Sequence, residues 1–171
     1  MLKPNEVKYK AQKLEEQNYK FRTFLKIRAG ADELDAQFLS LHKELFADYD
    51  CCKCANCCKS SSTSIGNDEV KRIASHLGLP ESDFIAKYLV EAESVDELPY
   101  KFKDIPCSFL RDDGRCQIQN CKPDVCAGFP YTDQPERLFS MYSIIGNAEV
   151  CPVVFEILER LKVIYRFRSK A

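Results

Sequence analysis

Only two histidines, His42 and His76, occur in the 171 residues, each on a predicted helix and neither beside a nucleophile signature. A Ser/His/Asp or Cys/His hydrolase therefore has little to be built from. No stretch approaches the roughly 18 consecutive apolar residues that cross a bilayer, so no membrane partner is expected. No charge of one sign dominates: 25 basic residues stand against 26 acidic ones, for a net charge of −1. That balance removes electrostatic steering toward nucleic acid or anionic lipid. Neither GxGxxG nor P-loop spacing occurs, and nucleotide binding is not indicated. The first twenty residues carry a charge every few positions and hold no apolar run of signal-peptide length, which predicts a cytoplasmic location. There is no internal repeat, and the one low-complexity patch is the polar loop Ser60–Ser64.

Cysteine is what the chain has in excess. Of its ten cysteines, five fall in eight positions: Cys51, Cys52, Cys54, Cys57 and Cys58, reading CCKCANCC. The others are Cys107, Cys116, Cys121, Cys126 and Cys151. Such density marks either a disulfide framework or a metal site. In a reducing compartment the second is expected, and the geometry agrees. Thiols two or three residues apart pair poorly with one another but converge readily on one cation.

At 45% hydrophobic and 30% charged residues, the composition is that of an ordinary globular domain with a real apolar core. The patterning predicts a mainly helical α+β fold, with helices around a small β-hairpin or sheet. Val7, Ala11, Leu14, Phe21 and Leu25 share one face of a helix over about 5–28. After Ala29-Gly30-Ala31, Asp32 can cap a second helix that buries Leu34, Phe38, Leu41 and Leu45. A third is expected from Asp68 to Leu77 with Asn67 as cap, and a fourth opens at Pro80-Glu81 and carries Phe84, Ile85, Tyr88 and Leu89. The acidic tract Glu91–Glu97 reads as a solvated helix end. Leu98–Ile118 reads as a β-hairpin turning at Asp112-Asp113-Gly114, and Leu138–Ile145 as a strand. Pro152 opens a last helix with Phe155, Leu158, Leu161 and Ile164 inward. The chain thus divides into an N-terminal helical hairpin (1–47), a cysteine-bearing domain (48–152) and a C-terminal helix (153–171) that packs on it, all within one globule. The hairpin is expected to bury its stripe in its own core, or to offer it to a protein partner.

Set in order, the motifs resemble the YkgJ-type cysteine-cluster family, described as zinc- or iron-chelating. That pattern is C-x2-C-x2-C-C, then C-x2-L leading to G-x-C-x-I-Y, then R-P-x2-C-R-x-F/Y-P, then a late cysteine. Cys51, Cys54, Cys57 and Cys58 match the first part, and Cys107, Leu110, Gly114, Cys116 and Ile118 the second. Pro123, Cys126, Phe129 and Pro130 match the third, and Cys151 the last. The resemblance covers roughly residues 51–152 and implies that these eight cysteines ligate metal. Gln119, Lys122 and Ala127 depart from the pattern, at places where a polar side chain would hydrogen-bond to sulfur. Cys52 and Cys121 lie outside it. Were the first cluster one helix, Cys51, Cys54, Cys57 and Cys58 would share an arc of roughly 120° with Cys52 pointing elsewhere. Cys121 reads as a small apolar filler.

Eight thiolates suit two four-cysteine sites or one polynuclear cluster. Zinc takes four sulfurs tetrahedrally, while Cys51-x2-Cys54-x2-Cys57 also copies the opening of a ferredoxin run, whose next cysteine is missing at Ser61-Ser62. The cofactor is therefore zinc, or iron as ion or iron–sulfur cluster. Neighbouring side chains diverge in most backbones, so Cys57 and Cys58 are expected on different ions unless one bridges. Bound structural zinc is worth about 10–16 kcal/mol, as much as a whole domain's stability, so such a metal would hold the separate segments together. Lys53, Lys59, Arg115 and Lys122 lie beside these cysteines, and Tyr100, Phe102, Phe109, Phe129 and Tyr131 are expected to pack around them. Three functions fit: a cytoplasmic metal-binding protein, an iron–sulfur redox or enzyme-associated protein, and a metal-stapled interaction module. The cluster is also similar to that of flagellin lysine methylases, but no methyl-donor site is recognisable and no catalytic residue is assigned.

Overall fold

Apolar residues recur at helical spacing through most of the chain, and helices form there. The computed structural model describes residues 1–93 and 98–168. In chain order these hold α1 (Pro4–Lys13), α2 (Glu15–Arg28), α3 (Ala31–Phe46), α4 (Cys51–Cys54), α5 (Asn56–Ser60) and β1 (Ser64–Ile65). Then come α6 (Asn67–Leu77), α7 (Glu81–Tyr88), β2 (Leu89–Glu91), β3 (Tyr100–Phe102) and a 3₁₀ turn at Gln119–Cys121. α8 (Asp124–Gly128), α9 (Arg137–Asn147) and α10 (Pro152–Ile164) complete the order. The mainly helical α+β class is the observed one.

Local chemistry explains where the elements differ from expectation. The first helix is two: at Leu14 the N–H reaches the carbonyls of both Lys10 and Ala11, the tightened turn of a helix end. α3 is entered from Gly30, which leaves Asp32 and Glu33 in the first turn, where the helix dipole favours acid. Gly66, not Asn67, is the N-cap of α6, and its N–H donates to Glu69 Oε2 at 2.8 Å. The strand expected at Leu138–Ile145 is the helix α9. Its apolar residues satisfy a period of 3.6 better than of 2, with Arg137, Met141, Ile144 and Ile145 all buried on one side. The hairpin expected over Leu98–Ile118 is split. β3 pairs antiparallel with β1 and β2 in the order β1-β3-β2, with Lys101 opposite Ser64 and Val90. The turn at Asp112-Asp113-Gly114 is closed separately, by one bridge between Leu110 and Cys116. Within the acidic tract, Glu91 ends β2 rather than a helix, and residues 94–97 lie outside the described residues.

Two compact units result. The helical unit joins Met1–Asp50 to Pro130–Ala171, so residues 130–152 belong with the helices. In it α3 packs on α9 and α10, and α2 on α9. Leu34, Phe38, Leu41 and Leu45 are buried there, so the N-terminal hairpin covers its stripe with its own unit's core. α10 contributes Val153, Val154, Ile157, Leu158 and Leu161, each at most 1% exposed and each worth about 1.5–3 kcal/mol of burial. The second unit is Cys51–Phe129. Its core gathers Ile65, Val70, Ile73, Phe84, Leu89, Phe102, Phe109 and Ile118, with Cys121 among them. Among the described residues no helix is long and apolar enough to cross a membrane.

Candidate metal centre

The CCKCANCC run is not one helix. α4 and α5 are single turns separated by Ala55, which sits buried in the left-handed region (φ 47°, ψ 22°). The shared arc deduced from a continuous helix does not survive this reversal. The kink instead makes a knuckle, with Cys51 and Cys52 exposed on the first turn and Cys57 and Cys58 half-buried on the second. Cys54, also half-buried, offers its carbonyl to Lys59 Nζ at 3.2 Å.

Three sets of contacts place the thiols of Cys107, Cys116 and Cys126 within the same unit. The backbone N–H of Cys107 donates to the Cys58 carbonyl at 2.8 Å, fixing the start of the second cysteine stretch. From there the chain runs to Leu110, which faces Cys116 across the small hairpin. Gly114 turns that hairpin in the left-handed region, φ 79°, and lies so close to the Cys52 carbonyl that a Cβ there would fall on its oxygen and 2.9 Å from its carbon. Only glycine allows both the turn and the approach. Cys126 is delivered by α8, whose first N–H, at Asp124, donates to Glu69 Oε1 at 2.8 Å. Glu69 thereby caps α6 with one oxygen and α8 with the other. Arg72, also on α6, donates to Asp124 Oδ1 at 2.9 Å and to the Lys122 carbonyl at 3.1 Å.

The thiols so placed act on one another. Cys57 and Cys58 Sγ lie 3.9 Å apart. The divergence expected of neighbours is overcome here by the helical turn after Ala55. The S–H of Cys58 supports a thiolate at Cys57, whose pKa falls to about 6, while Cys58 itself is pushed far up as the proton holder. Cys58 also feels the charges of Cys107 and Cys126. Burial raises Cys126, which is influenced by Cys107, Cys57 and Cys116. Burial likewise raises Cys107, against which Cys116 acts in addition. The charge of Lys122 favours the Cys57 thiolate. Arg115 is instead turned to Asp113, 3.9 Å away.

Five of the eight predicted ligands, Cys57, Cys58, Cys107, Cys116 and Cys126, are thus one electrostatic neighbourhood drawn from three segments. Cys51 and Cys54 stand on the preceding turn. Cys151 belongs to the helical unit, buried at the N-cap of α10. Cys121 is buried in the apolar core of its unit, as a filler would be. No disulfide is formed among the ten cysteines, all of which are described residues. Among the described residues no group of three or more Cys, His, Asp or Glu side chains is arranged so that it could hold a metal ion. The donor chemistry nonetheless fits zinc or iron, being all sulfur. The 3.9 Å separation also matches the edge of about 3.8 Å that Zn–S bonds of about 2.3 Å give a tetrahedron. Phe102 and Phe109 pack in this unit with Cys107 and Cys116 at the core's margin. Tyr131 lies in the helical unit, where its carbonyl accepts from Arg137. The histidines keep to structural places: His42 Nδ1 meets Thr132 Oγ1 at 2.8 Å, and His76 is exposed.

One residue escaped the sequence reading. Thr63, in the polar loop, places Oγ1 3.4 Å from Cys126 Sγ. Its position directly after the first cysteine cluster was the only signal.

The family model CxxCxxCC, described as "Putative zinc- or iron-chelating domain", matches residues 50–152. No curated protein and no solved structure matches the chain.

Proposed function

The chain belongs to the CxxCxxCC family, and from that premise we propose that it holds zinc or iron through cysteine thiolates centred on Cys57 and Cys58. The observation that carries this reading is the 3.9 Å Cys57–Cys58 sulfur pair, on which the charges of Cys107 and Cys126 from two other segments act. Two thiolates at that spacing suit a single tetrahedral ion. The corners of a four-iron cube suit it less, because there each cysteine takes a different iron. Cys116 acts on Cys107 and Cys126, and the exposed Cys51 and half-buried Cys54 stand on the turn before Cys57 and Cys58. Cys151 joins the eight on its sequence position alone. When bound, the metal would supply a cross-link among segments far apart in the chain. The protein's own part is to hold the thiols reduced, half-buried and close, with Lys122 offsetting part of the thiolate charge. That requires a reducing compartment, which fits a cytoplasmic place.

Anaerobic purification followed by elemental analysis and an absorption spectrum tests the proposal. Stoichiometric zinc or iron is expected, most of it lost in Cys58→Ser and kept in Cys121→Ser. A folded, metal-free, chelator-indifferent protein would sink it. Colour with sulfur-to-iron charge transfer would select iron, and a colourless zinc protein would exclude a redox cluster.

A further inference from the structure

The loop after the first cysteine cluster looks like a spacer by composition, yet it is held tightly on both sides. Ser62 Oγ donates to the Phe102 carbonyl at 2.6 Å, and the Phe102 N–H returns a bond to the Thr63 carbonyl at 3.0 Å. Thr63 is therefore held along β3 by its own carbonyl and by the side chain of its neighbour Ser62. A β-branched side chain has little freedom at χ1, so pinning the backbone aims the hydroxyl. It is aimed at sulfur: Oγ1 lies 3.4 Å from Cys126 Sγ, within hydrogen-bonding reach of so large an atom. On its own helix Cys126 is followed by Ala127, whose side chain has no polar atom to offer. The hydroxyl arrives instead from 63 residues upstream.

We propose that Thr63 is a positioning residue for the metal centre, its hydroxyl donating to Cys126 Sγ and setting both the direction and the donor strength of that sulfur. This rests on the reading of Cys126 as a ligand. While Cys126 is a thiol, either group can donate. Once the metal takes the place of the thiol proton, the sulfur has only lone pairs, and the Thr63 O–H becomes the donor by rotating about its C–O bond. A hydrogen bond to a bound thiolate draws electron density from the metal–sulfur bond and fixes the lone pair that points at the ion. Partners of this kind are worth about 10–100-fold in metal affinity.

The test uses the full chain loaded with cobalt(II), whose sulfur-to-metal charge-transfer band reports the donor strength of the thiolates. Thr63→Val removes the hydroxyl while keeping the shape, Thr63→Ala removes hydroxyl and methyl, and Thr63→Ser keeps the hydroxyl. Both variants without the hydroxyl are expected to shift the band to longer wavelength. They should also bind cobalt about 10–100-fold more weakly in competition with a chelator. Thr63→Ser should match the parent chain in both. Two independent variants keep the test decisive if one fails to fold. A packing role alone would lower stability and leave the band in place, and that result overturns the inference while the metal reading stands. Thr63→Ser behaving like Thr63→Val would overturn it as well. If the parent chain takes up no cobalt, the reading of the centre fails and the inference falls with it.

Discussion

Replacing Gly114 with alanine isolates the contact by which the hairpin seats on the cysteine knuckle. Two penalties are combined at this position. An L-residue in the left-handed region costs about 1–2 kcal/mol. The new methyl would also fall on the Cys52 carbonyl, 2.9 Å from its carbon, and a backbone group cannot swing aside as a side-chain tip can. Forcing atoms into a packed site costs about a further 1–3 kcal/mol, for a total of about 2–5 kcal/mol. Gly78 provides the matched control. It has φ 67° at the C-cap of α6 and nothing within 4 Å of its would-be Cβ, so Gly78→Ala pays the backbone term alone. Both variants are measured by urea unfolding, with metal content determined alongside. Gly114→Ala should be the less stable of the two by about 1–3 kcal/mol, and it should lose metal, because relief of the clash moves the knuckle. Gly78→Ala should keep its metal. Equal destabilisation with metal retained in both would refute the argument that Gly114 is required by the Cys52 contact.

Two further outcomes follow from other parts of the molecule. Asp35, on α3, takes the N–H groups of Glu136 and Arg137 at 2.7 and 2.8 Å, and so caps α9 from a neighbouring helix. Asp35→Ala should cost about 2–4 kcal/mol in chemical denaturation with metal content unchanged, and a loss below about 0.5 kcal/mol would contradict the cap. Metal affinity should rise steeply with pH between about 6 and 9. Cys57 ionises at about 6, but Cys58, Cys107 and Cys126 are all raised above the ordinary thiol value of 9.0 and carry protons that the ion must displace. Calorimetry in buffers of different ionisation enthalpy should find about three protons released per ion. An affinity flat over that range would be inconsistent with these thiols as ligands. In the metal-free protein the signs separate. The contribution of the three raised thiols is complete below pH 9.0 and fades as pH climbs through their higher folded values. That of Cys57 is complete above 9.0 and is lost as pH falls through about 6.

Much of this protein is written locally. A stripe such as Leu34, Phe38, Leu41 and Leu45 buries itself on one side only as a helix, and within a helix Pro152 suits only the first turn, so α3 and α10 were readable from periodicity and caps. The spacing of the cysteines likewise announced a sulfur site, because few other uses exist for so many thiols in so short a run. Leu138–Ile145 was misread as a strand because a short apolar run fits either period until packing on α2 and α3 selects one. What no local rule could supply is which thiols meet. That was decided by the left-handed Ala55 that folds the knuckle back and by contacts between residues far apart in sequence: the Cys107–Cys58 backbone bond, the approach of Gly114 to Cys52, and the bond from the Asp124 N–H to Glu69. The separation of Cys57 and Cys58 shows the difference most plainly. Adjacent residues diverge in an average backbone, and only the turn adopted here sets their sulfurs 3.9 Å apart. Residue type and order fixed the chemistry available, since sulfur binds soft metal wherever it sits. Long-range hydrogen bonds and steric fit, which depend on the whole chain's path, settled how the thiols are arranged.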